Sequence, residues 1–385
     1  MQRLKVVAVV GARPNFMKIA PLLWAAAQRP DSFEFRLVHT GQHYDKNMNE
    51  VFFQELDIRE PDIHLGVGSG SHAEQTARIM VALEKVLVED PADLVLVVGD
   101  VNSTLAAALV AAKLHVPTAH VEAGLRSRDR RMPEEINRMV TDCLSEVLFT
   151  TSRLADRNLL AEGVPPERIC LVGNIMIDTL IHFLGRAEGR DSPERLGLAR
   201  GGYGLVTLHR PGNVDDAAKL TGIIDTLCRI SRELPVVFPI HPRTRGTLAA
   251  FGLFERLERE PGVVLTEPQG YLDFLSLMRS SRLVISDSGG IQEETTYLKI
   301  PCLTLRENTE RPETVEFGTN LLIGHDGERL YAQARRILDG DWKAGGELEF
   351  WDGRVAERIL DELERRSDRL TAPPAERLVD SGARN

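Results

Sequence analysis

The residues with the most chemical content lie where an apolar run, 283–286, passes into Asp287-Ser288-Gly289-Gly290 and then Ile291-Gln292-Glu293-Glu294. A strand that enters two glycines at a helix start aims backbone N–H groups at an anion, and the positive end of the helix dipole reinforces them. Ser288 adds a hydroxyl. Glu294, one turn further on, has the wrong charge for phosphate but suits the vicinal hydroxyls of a ribose, so the segment predicts a nucleoside diphosphate site. The first apolar run leads in the same way into Gly11-Ala12-Arg13-Pro14-Asn15-Phe16-Met17-Lys18. Pro14 favours a helix start there, and Arg13 and Lys18 can neutralise anionic oxygens. The spacing is neither the Gly-x-Gly-x-x-Gly of dinucleotide folds nor a Walker loop, so neither NAD nor nucleotide triphosphate hydrolysis is expected.

Carboxylates form a second group. Asp100 and Glu122 end two apolar runs joined by one predicted helix, 105–114, which brings two candidate acid–base groups to the same edge. A third, Glu134, lies in Met132-Pro133-Glu134-Glu135-Ile136-Asn137-Arg138, where Pro133 marks a helix start. The predicted core-facing side of that helix is Ile136, Met139, Val140, Cys143, Leu144 and Val147, with Glu134 and Arg138 one turn apart on the opposite side. A surface ion pair is the plainest reading of those two residues alone. The glycine-containing loop before them, Glu122-Ala-Gly-Leu-Arg126-Ser-Arg128, carries charge from the strand end to the helix and argues for a site.

Short β-rich runs alternate with helical patterns along most of the chain, the signature of parallel sheets covered by helices. The first half has runs at 5–10, 35–39, 94–98, 118–121, 147–150 and 169–172; the second has them at 205–208, 236–240, 263–265, 283–286, 302–305 and 321–323. No sequence repeat relates the halves, so their likeness is architectural. In open parallel sheets ligands gather beyond the carboxyl ends of the strands, and these ends are unusually polar: Arg13, His39, Asp100 and Glu122 in the first half, His209-Arg210, His241, Asp287-Ser288 and Arg306 in the second. The expected class is therefore α/β, with two Rossmann-like domains facing across a cleft. The predicted boundaries are 1–175 for the first domain, joined by a C-terminal helix at about 355–372, and 176–354 for the second, with 373–385 a disordered tail.

Composition narrows the function. At 385 residues the chain suits two domains, and a net charge of -10 argues against nucleic acid as a partner. No apolar run approaches the length of a membrane span, and the four cysteines lack metal or redox spacing, so a cytoplasmic protein with neither structural metal nor membrane attachment is expected.

Taken in order, Gly11-Ala-Arg-Pro, Gly99-Asp100, His120-Val-Glu122-Ala-Gly-Leu-Arg126, Pro133-Glu-Glu-x-Asn-Arg138, His209-Arg210, Asp287-Ser-Gly-Gly-Ile-Gln-Glu-Glu294 and Thr309-Glu-Arg-Pro-Glu313 resemble the non-hydrolysing UDP-N-acetylglucosamine 2-epimerases over nearly the whole chain. The resemblance implies a two-domain glycosyltransferase-B fold. It implies interconversion of UDP-N-acetylglucosamine and UDP-N-acetylmannosamine without cofactor, through loss of the C2 proton and expulsion of UDP to an enzyme-held 2-acetamidoglucal, with the product serving cell-surface polysaccharide synthesis. A homodimer is also implied. Asp100, Glu122 and Glu134 match the family's essential carboxylates and His209 its essential histidine. Arg13, Lys18, Ser288, Gly289 and Gly290 match diphosphate contacts, Glu294 the ribose contact, and Arg138 and Arg311 further ligand-cleft positions; His241, from its strand end, is a further candidate substrate contact. Tyr44 stands where substrate-activated members carry Arg, and the loop before Pro133 is shorter than theirs. Related epimerases of a UDP-diacetamido-glucuronate share many motifs, but Thr309-Glu310-Arg311-Pro312 points to the simple N-acetylglucosamine sugar. A retaining glycosyltransferase and a non-catalytic UDP-sugar sensor are the rival readings.

Overall fold

The computed structural model describes residues 3–42 and 55–373, and of Arg13 only the backbone. His43, Tyr44 and the tail beyond residue 373 lie outside the described residues. The chain divides into two compact units, residues 1–179 with 349–385, and 180–348.

The first unit is built on a seven-stranded parallel sheet: β1 (Leu4–Val10), β2 (Phe33–His39), β3 (Ile63–His64), β4 (Leu94–Val98), β5 (Thr118–Ala123), β6 (Val147–Thr150) and β7 (Ile169–Leu171), in the order β3-β2-β1-β4-β5-β6-β7. All residues of β4 and β5 are buried, as expected of strands covered by helices on both faces. The order reverses between β1 and β4, where a doubly wound sheet places its ligand crevice. The two-residue strand β3 is too short to leave a periodic signal in the sequence. The helix between β4 and β5 spans Asn102–Lys113, three residues earlier at its start than predicted, because Asn102, Ser103 and Thr104 are themselves buried against the sheet. Gly11 allows this close approach, since a Cβ there would fall 2.0 Å from Ser103 Oγ.

One predicted face is inverted. The helix Pro133–Leu144 buries Glu135, Asn137, Arg138, Thr141 and Asp142, whereas Ile136 is 42% exposed and Cys143 is also exposed. Met139, Val140 and Leu144 are only half-buried, and of the predicted core-facing set Val147 alone is fully buried, as a residue of β6. The sheet-facing side carries groups that bind the loops at the strand ends, and their hydrogen bonds remove the penalty that would otherwise drive a polar face outward.

The helix Val355–Arg365 belongs to the first unit. It buries Val355, Ala356, Ile359, Leu360 and Leu363, a helical stripe, and the Asp178 carboxylate accepts the Val355 and Ala356 amides at 3.2 and 2.8 Å. Arg29 Nη1 reaches Asp361 Oδ1 at 2.6 Å on its outer side.

The second unit has a six-stranded parallel sheet of β8 (Gly204–Thr207), β9 (Val236–Pro239), β10 (Val263–Thr266), β11 (Leu283–Ser286), β12 (Cys302–Thr304) and β13 (Asn320–Leu322), ordered β10-β9-β8-β11-β12-β13. Its core joins Val206, Phe238, Ile285 and Leu303 of the strands to Ile224 and Leu227 of the helix Ala217–Ser231 and to Leu330 and Ile337 of the helix Gly327–Leu338. The reversal point falls between β8 and β11, so the loops after these strands carry His209 and Asp287-Ser288. Two parallel-sheet α/β domains of this kind make up the glycosyltransferase-B type of chain. Among the described residues no helix is long and apolar enough to cross a membrane.

Candidate active site

In the first unit the candidate residues collect at the carboxyl ends of β1, β4 and β5. After β1, the side-chain oxygen of Asn15 accepts the Gly11 and Ala12 amides at 3.1 Å each, and its nitrogen donates to Val98 O at 2.9 Å. The turn is thus tied to β4, and its first amides are already engaged. Arg13 opens the helix Arg13–Ala27, and its side chain is outside the described residues. Lys18, buried on that helix, forms an ion pair with Glu122 that is buried on both sides.

Glu122 has a backbone φ of 72°, uncommon for a residue with a side chain, and sits at an irregularity in the β5–β6 ladder between Val121 and Ala123. Such a conformation costs on the order of 1–3 kcal/mol and persists where the surroundings enforce it, often at functional sites. Asp100 begins the loop after β4 and pairs with Arg138, a guanidinium with only 2% of its side chain exposed. Arg138 Nη1 lies 2.5 Å from Glu135 Oε2. Asn137 Nδ2 donates to Asp100 O at 2.9 Å.

Glu135 is the acidic residue that the helix buries. It accepts the Ser127 amide and hydroxyl, both at 3.0 Å, and the Arg128 amide at 2.8 Å. Burial alone would raise its carboxyl; these bonds and Arg138 outweigh that and hold it below its ordinary range. Glu134 is exposed in the first helical turn. The arginine pairing expected of Glu134 is therefore made by its neighbour, and the helix braces the loop 124–132 from beneath. Lys18 with Glu122, and Arg138 with Asp100, are the predicted site residues that this unit brings together.

In the second unit His209, at the end of β8, directs Nδ1 to Asp287 Oδ1 at 3.0 Å. Asp287 is fully buried and also accepts the Arg210 amide at 2.9 Å and Asn213 Nδ2 at 3.0 Å. Burial pushes this carboxyl up, but the bonds from His209, Arg210 and Asn213 prevail and keep it ionised below its ordinary range. With Nδ1 committed, Nε2 of a ring that is 47% exposed is the nitrogen left for a ligand. His241 caps the helix Pro242–Ala250, and its ring centroid is 6.5 Å from that of His209.

The loop Ser288-Gly289-Gly290 starts the helix Gly289–Tyr297, whose first amides have no acceptor within the helix. Arg311 lies against it: a Cβ on Gly289 would fall 2.9 Å from Arg311 Nη1, so only glycine admits the guanidinium so close to the turn. Arg311 is held by Glu293 at 2.5 Å and Glu310 at 2.8 Å, and Glu310 also takes Arg306 at 2.7 Å. Glu294 is buried and accepts the Tyr271 hydroxyl at 3.0 Å. Burial, with a smaller contribution from Glu293, pushes its carboxyl up to about 7 against the opposing Tyr271 bond. The unit thus gathers a diphosphate-type loop, a cation and an acidic hydrogen-bonding group on one helix start.

Asp142, His120, Glu135 and Tyr271 bond to candidate residues or to the segments that carry them and are not singled out by sequence reasoning. His120 and Glu135 stand inside the motifs themselves, whereas nothing in local spacing marks Tyr271, whose partner is 23 residues away.

A family model described as UDP-N-acetylglucosamine 2-epimerase matches residues 25–364. The chain is 42% identical over 364 residues to a UDP-N-acetylglucosamine 2-epimerase of Methanocaldococcus jannaschii, covering 93% of this chain and 98% of that protein. It is also 42% identical over 364 residues to a UDP-2,3-diacetamido-2,3-dideoxy-D-glucuronate 2-epimerase of Pseudomonas aeruginosa, covering 94% and 99%. A crystal structure of the M. jannaschii UDP-GlcNAc 2-epimerase in complex with UDP-GlcNAc and UDP superposes with a TM-score of 0.87 at 41% identity, over 94% of this chain and 100% of that one. Full-length coverage, matching sheets and shared sequence place this chain in the UDP-N-acetylglucosamine 2-epimerase family.

Proposed function

We propose that the protein interconverts UDP-N-acetylglucosamine and UDP-N-acetylmannosamine by elimination and re-addition, without a cofactor. A base removes the C2 proton, the C1–O bond breaks with departure of UDP, and a C1=C2 double bond forms. In the second half UDP adds back to C1 while a proton reaches the other face of C2. Such a route needs two proton-transfer groups and strong stabilisation of the departing diphosphate. The observation that carries the reading is the pair of carboxylates at one sheet edge, Glu122 in its left-handed conformation beside Lys18, and Asp100 beside Arg138. Glu134 is assigned as a third proton-transfer candidate. In the second unit the Ser288-Gly289-Gly290 turn is assigned to the diphosphate and Glu294 to the ribose, with His209, whose Nε2 is left for a ligand, as the catalytic histidine; Arg13, His241 and Arg311 are further substrate contacts. We place the reaction in the cytoplasm, where the four free cysteines would stay reduced, and assign its product to cell-surface polysaccharide synthesis.

A glucuronate sugar brings an additional carboxylate, which calls for a cation of its own. Among the described residues Lys18, Arg126 and Arg138 at this edge each already face a carboxylate, whereas Arg128 donates to Asn158, so the choice of the uncharged N-acetylglucosamine sugar rests on the Thr309-Glu310-Arg311-Pro312 segment. Homodimerisation is part of the proposal: Ile136 and Cys143 face outward on one helix, as do Val81 and Val88, 58% and 62% exposed, on the helix His72–Glu89, and a second copy would cover them. Proton NMR of UDP-N-acetylglucosamine with the protein in deuterium oxide tests the activity. The manno isomer with deuterium at C2 is expected. An unchanged spectrum, together with turnover of the diacetamido-glucuronate, would move the substrate assignment; unchanged spectra for both would favour a sensor.

A further inference from the structure

The His120 ring bonds to neither of the carboxylates assigned to proton transfer at this sheet edge, Asp100 and Glu122, yet it is fully buried and both of its nitrogens are engaged. Nδ1 is 2.6 Å from Asp142 Oδ1, and Nε2 is 2.9 Å from the carbonyl oxygen of Gly99. Carboxylate and carbonyl only accept, so each ring nitrogen must donate. Gly99 immediately precedes Asp100, and His120 comes two residues before Glu122. The Gly99 peptide is thereby fixed to β5 twice, by its carbonyl to the His120 ring and by its amide to Val121 O at 3.1 Å.

Asp142 closes the arrangement from the other side. Its Oδ2 accepts the Gly124 amide at 3.1 Å and Arg126 Nη1 at 2.7 Å. Burial would raise this carboxyl, but His120 and Arg126 outweigh it and hold it below its ordinary range. The unusual backbone at Glu122 lies between the two anchors, His120 before it and Gly124 after it, and both end on this one carboxylate. A strained turn keeps its shape only when such surroundings over-determine it.

We propose that His120 is a positioning residue, a buried strut that locks the loop bearing Asp100 to the strand end bearing Glu122 and so sets the spacing of the two carboxylates. The proposal rests on the reading of Asp100 and Glu122 as proton-transfer groups. A misplacement of about 1 Å at a reacting centre lowers rate roughly 10²-fold, so the strut acts on kcat and leaves UDP capture, assigned to the second unit, untouched.

The test uses His120→Asn and His120→Gln beside Asp100→Asn and Glu122→Gln in the full chain. The shorter Asn amide reaches towards Asp142 only, whereas the longer Gln amide can restore the donor to Gly99 O. We expect His120→Asn to lower kcat about 10²-fold with UDP affinity by calorimetry within twofold, and His120→Gln to recover most of the rate. Equal losses in both variants, or UDP affinity falling in step with kcat, would overturn the positioning role. If Asp100→Asn and Glu122→Gln lose turnover while His120→Asn keeps it, the positioning proposal alone fails; if the two carboxylate variants keep turnover, the catalytic reading fails and takes this proposal with it. Should the His120 variants not fold, nitrogen-15 NMR of histidine-labelled protein answers the structural question: both ring N–H groups visible in slow exchange support the strut, and a single N–H overturns it.

Discussion

Replacing Glu294 by glutamine should make the protein more stable and a poorer binder of UDP at the same time. The carboxyl is buried, and burial raises it from an ordinary 4.5 to about 7. A carboxyl raised on folding contributes stability that is fully present below the unfolded value and is lost as pH climbs through the folded one. In the native protein this loss runs from about pH 4.5 to beyond pH 7, and at about 1.4 kcal/mol per unit it amounts to roughly 3 kcal/mol by pH 8.5. Glutamine keeps the shape and an oxygen to accept the Tyr271 hydroxyl, but has no charge to desolvate. Glu294→Gln should therefore match the parent near pH 4.5 and exceed it by about 1–3 kcal/mol at pH 8.5, a rise in melting temperature of roughly 2–4 °C per kcal/mol. Urea melts at the two pH values read this difference, and calorimetry with UDP should show affinity reduced by about 1–3 kcal/mol from loss of a charge-assisted bond to ribose. Equal stabilities of variant and parent at pH 8.5 would refute the burial argument. Unchanged UDP affinity would refute the ribose assignment.

Other outcomes follow from the same contacts. Arg138→Met leaves Glu135 buried without its cation, so urea denaturation should show a loss of about 3–5 kcal/mol, against little change for the exposed Glu134→Gln. Gly289→Ala drives a methyl against Arg311 and should weaken UDP binding at least tenfold by calorimetry with the far-ultraviolet spectrum unchanged. His39 is held down to about 4 by burial and by His64, so its contribution to stability is present above about pH 6.5 and is lost as pH falls towards 4; His39→Gln should flatten the acid limb of a stability-versus-pH curve. Ile136→Glu should give a monomer by light scattering if a second copy covers that helix face, and leave the mass unchanged if it does not.

Much of the architecture is legible because buried parallel strands are continuous apolar runs: Leu94-Val-Leu-Val-Val98 can hardly be anything else. The strand ends are legible too, since polar residues straight after such runs have few structural reasons to be there. What periodicity misreads is the helix Pro133–Leu144. Its apolar residues would go inward on ordinary grounds, yet Glu135, Arg138 and Asp142 are buried there instead, and their hydrogen bonds to the strand-end loops, across 7 to 38 residues of sequence, decide the matter. The same distance hides partners. Lys18 has the look of a phosphate ligand beside Arg13, and only the fold brings it to Glu122, 104 residues on. Asp287 reads as a helix-start residue, and its hold on His209 depends on two strands of the second sheet lying side by side.

We assign movement of the C2 proton to Asp100 and Glu122. The most direct test of that assignment is deuterium incorporation at C2 of UDP-N-acetylglucosamine in deuterium oxide, followed by NMR beside turnover for Asp100→Asn and Glu122→Gln. Each amide keeps size and removes basicity, so each variant should remain folded, bind UDP and lose about 10²- to 10⁴-fold in turnover. The variant lacking the abstracting base should lose exchange in proportion. Near-normal exchange and turnover in both would contradict the account and leave the two carboxylates as ion-pair partners of Lys18 and Arg138.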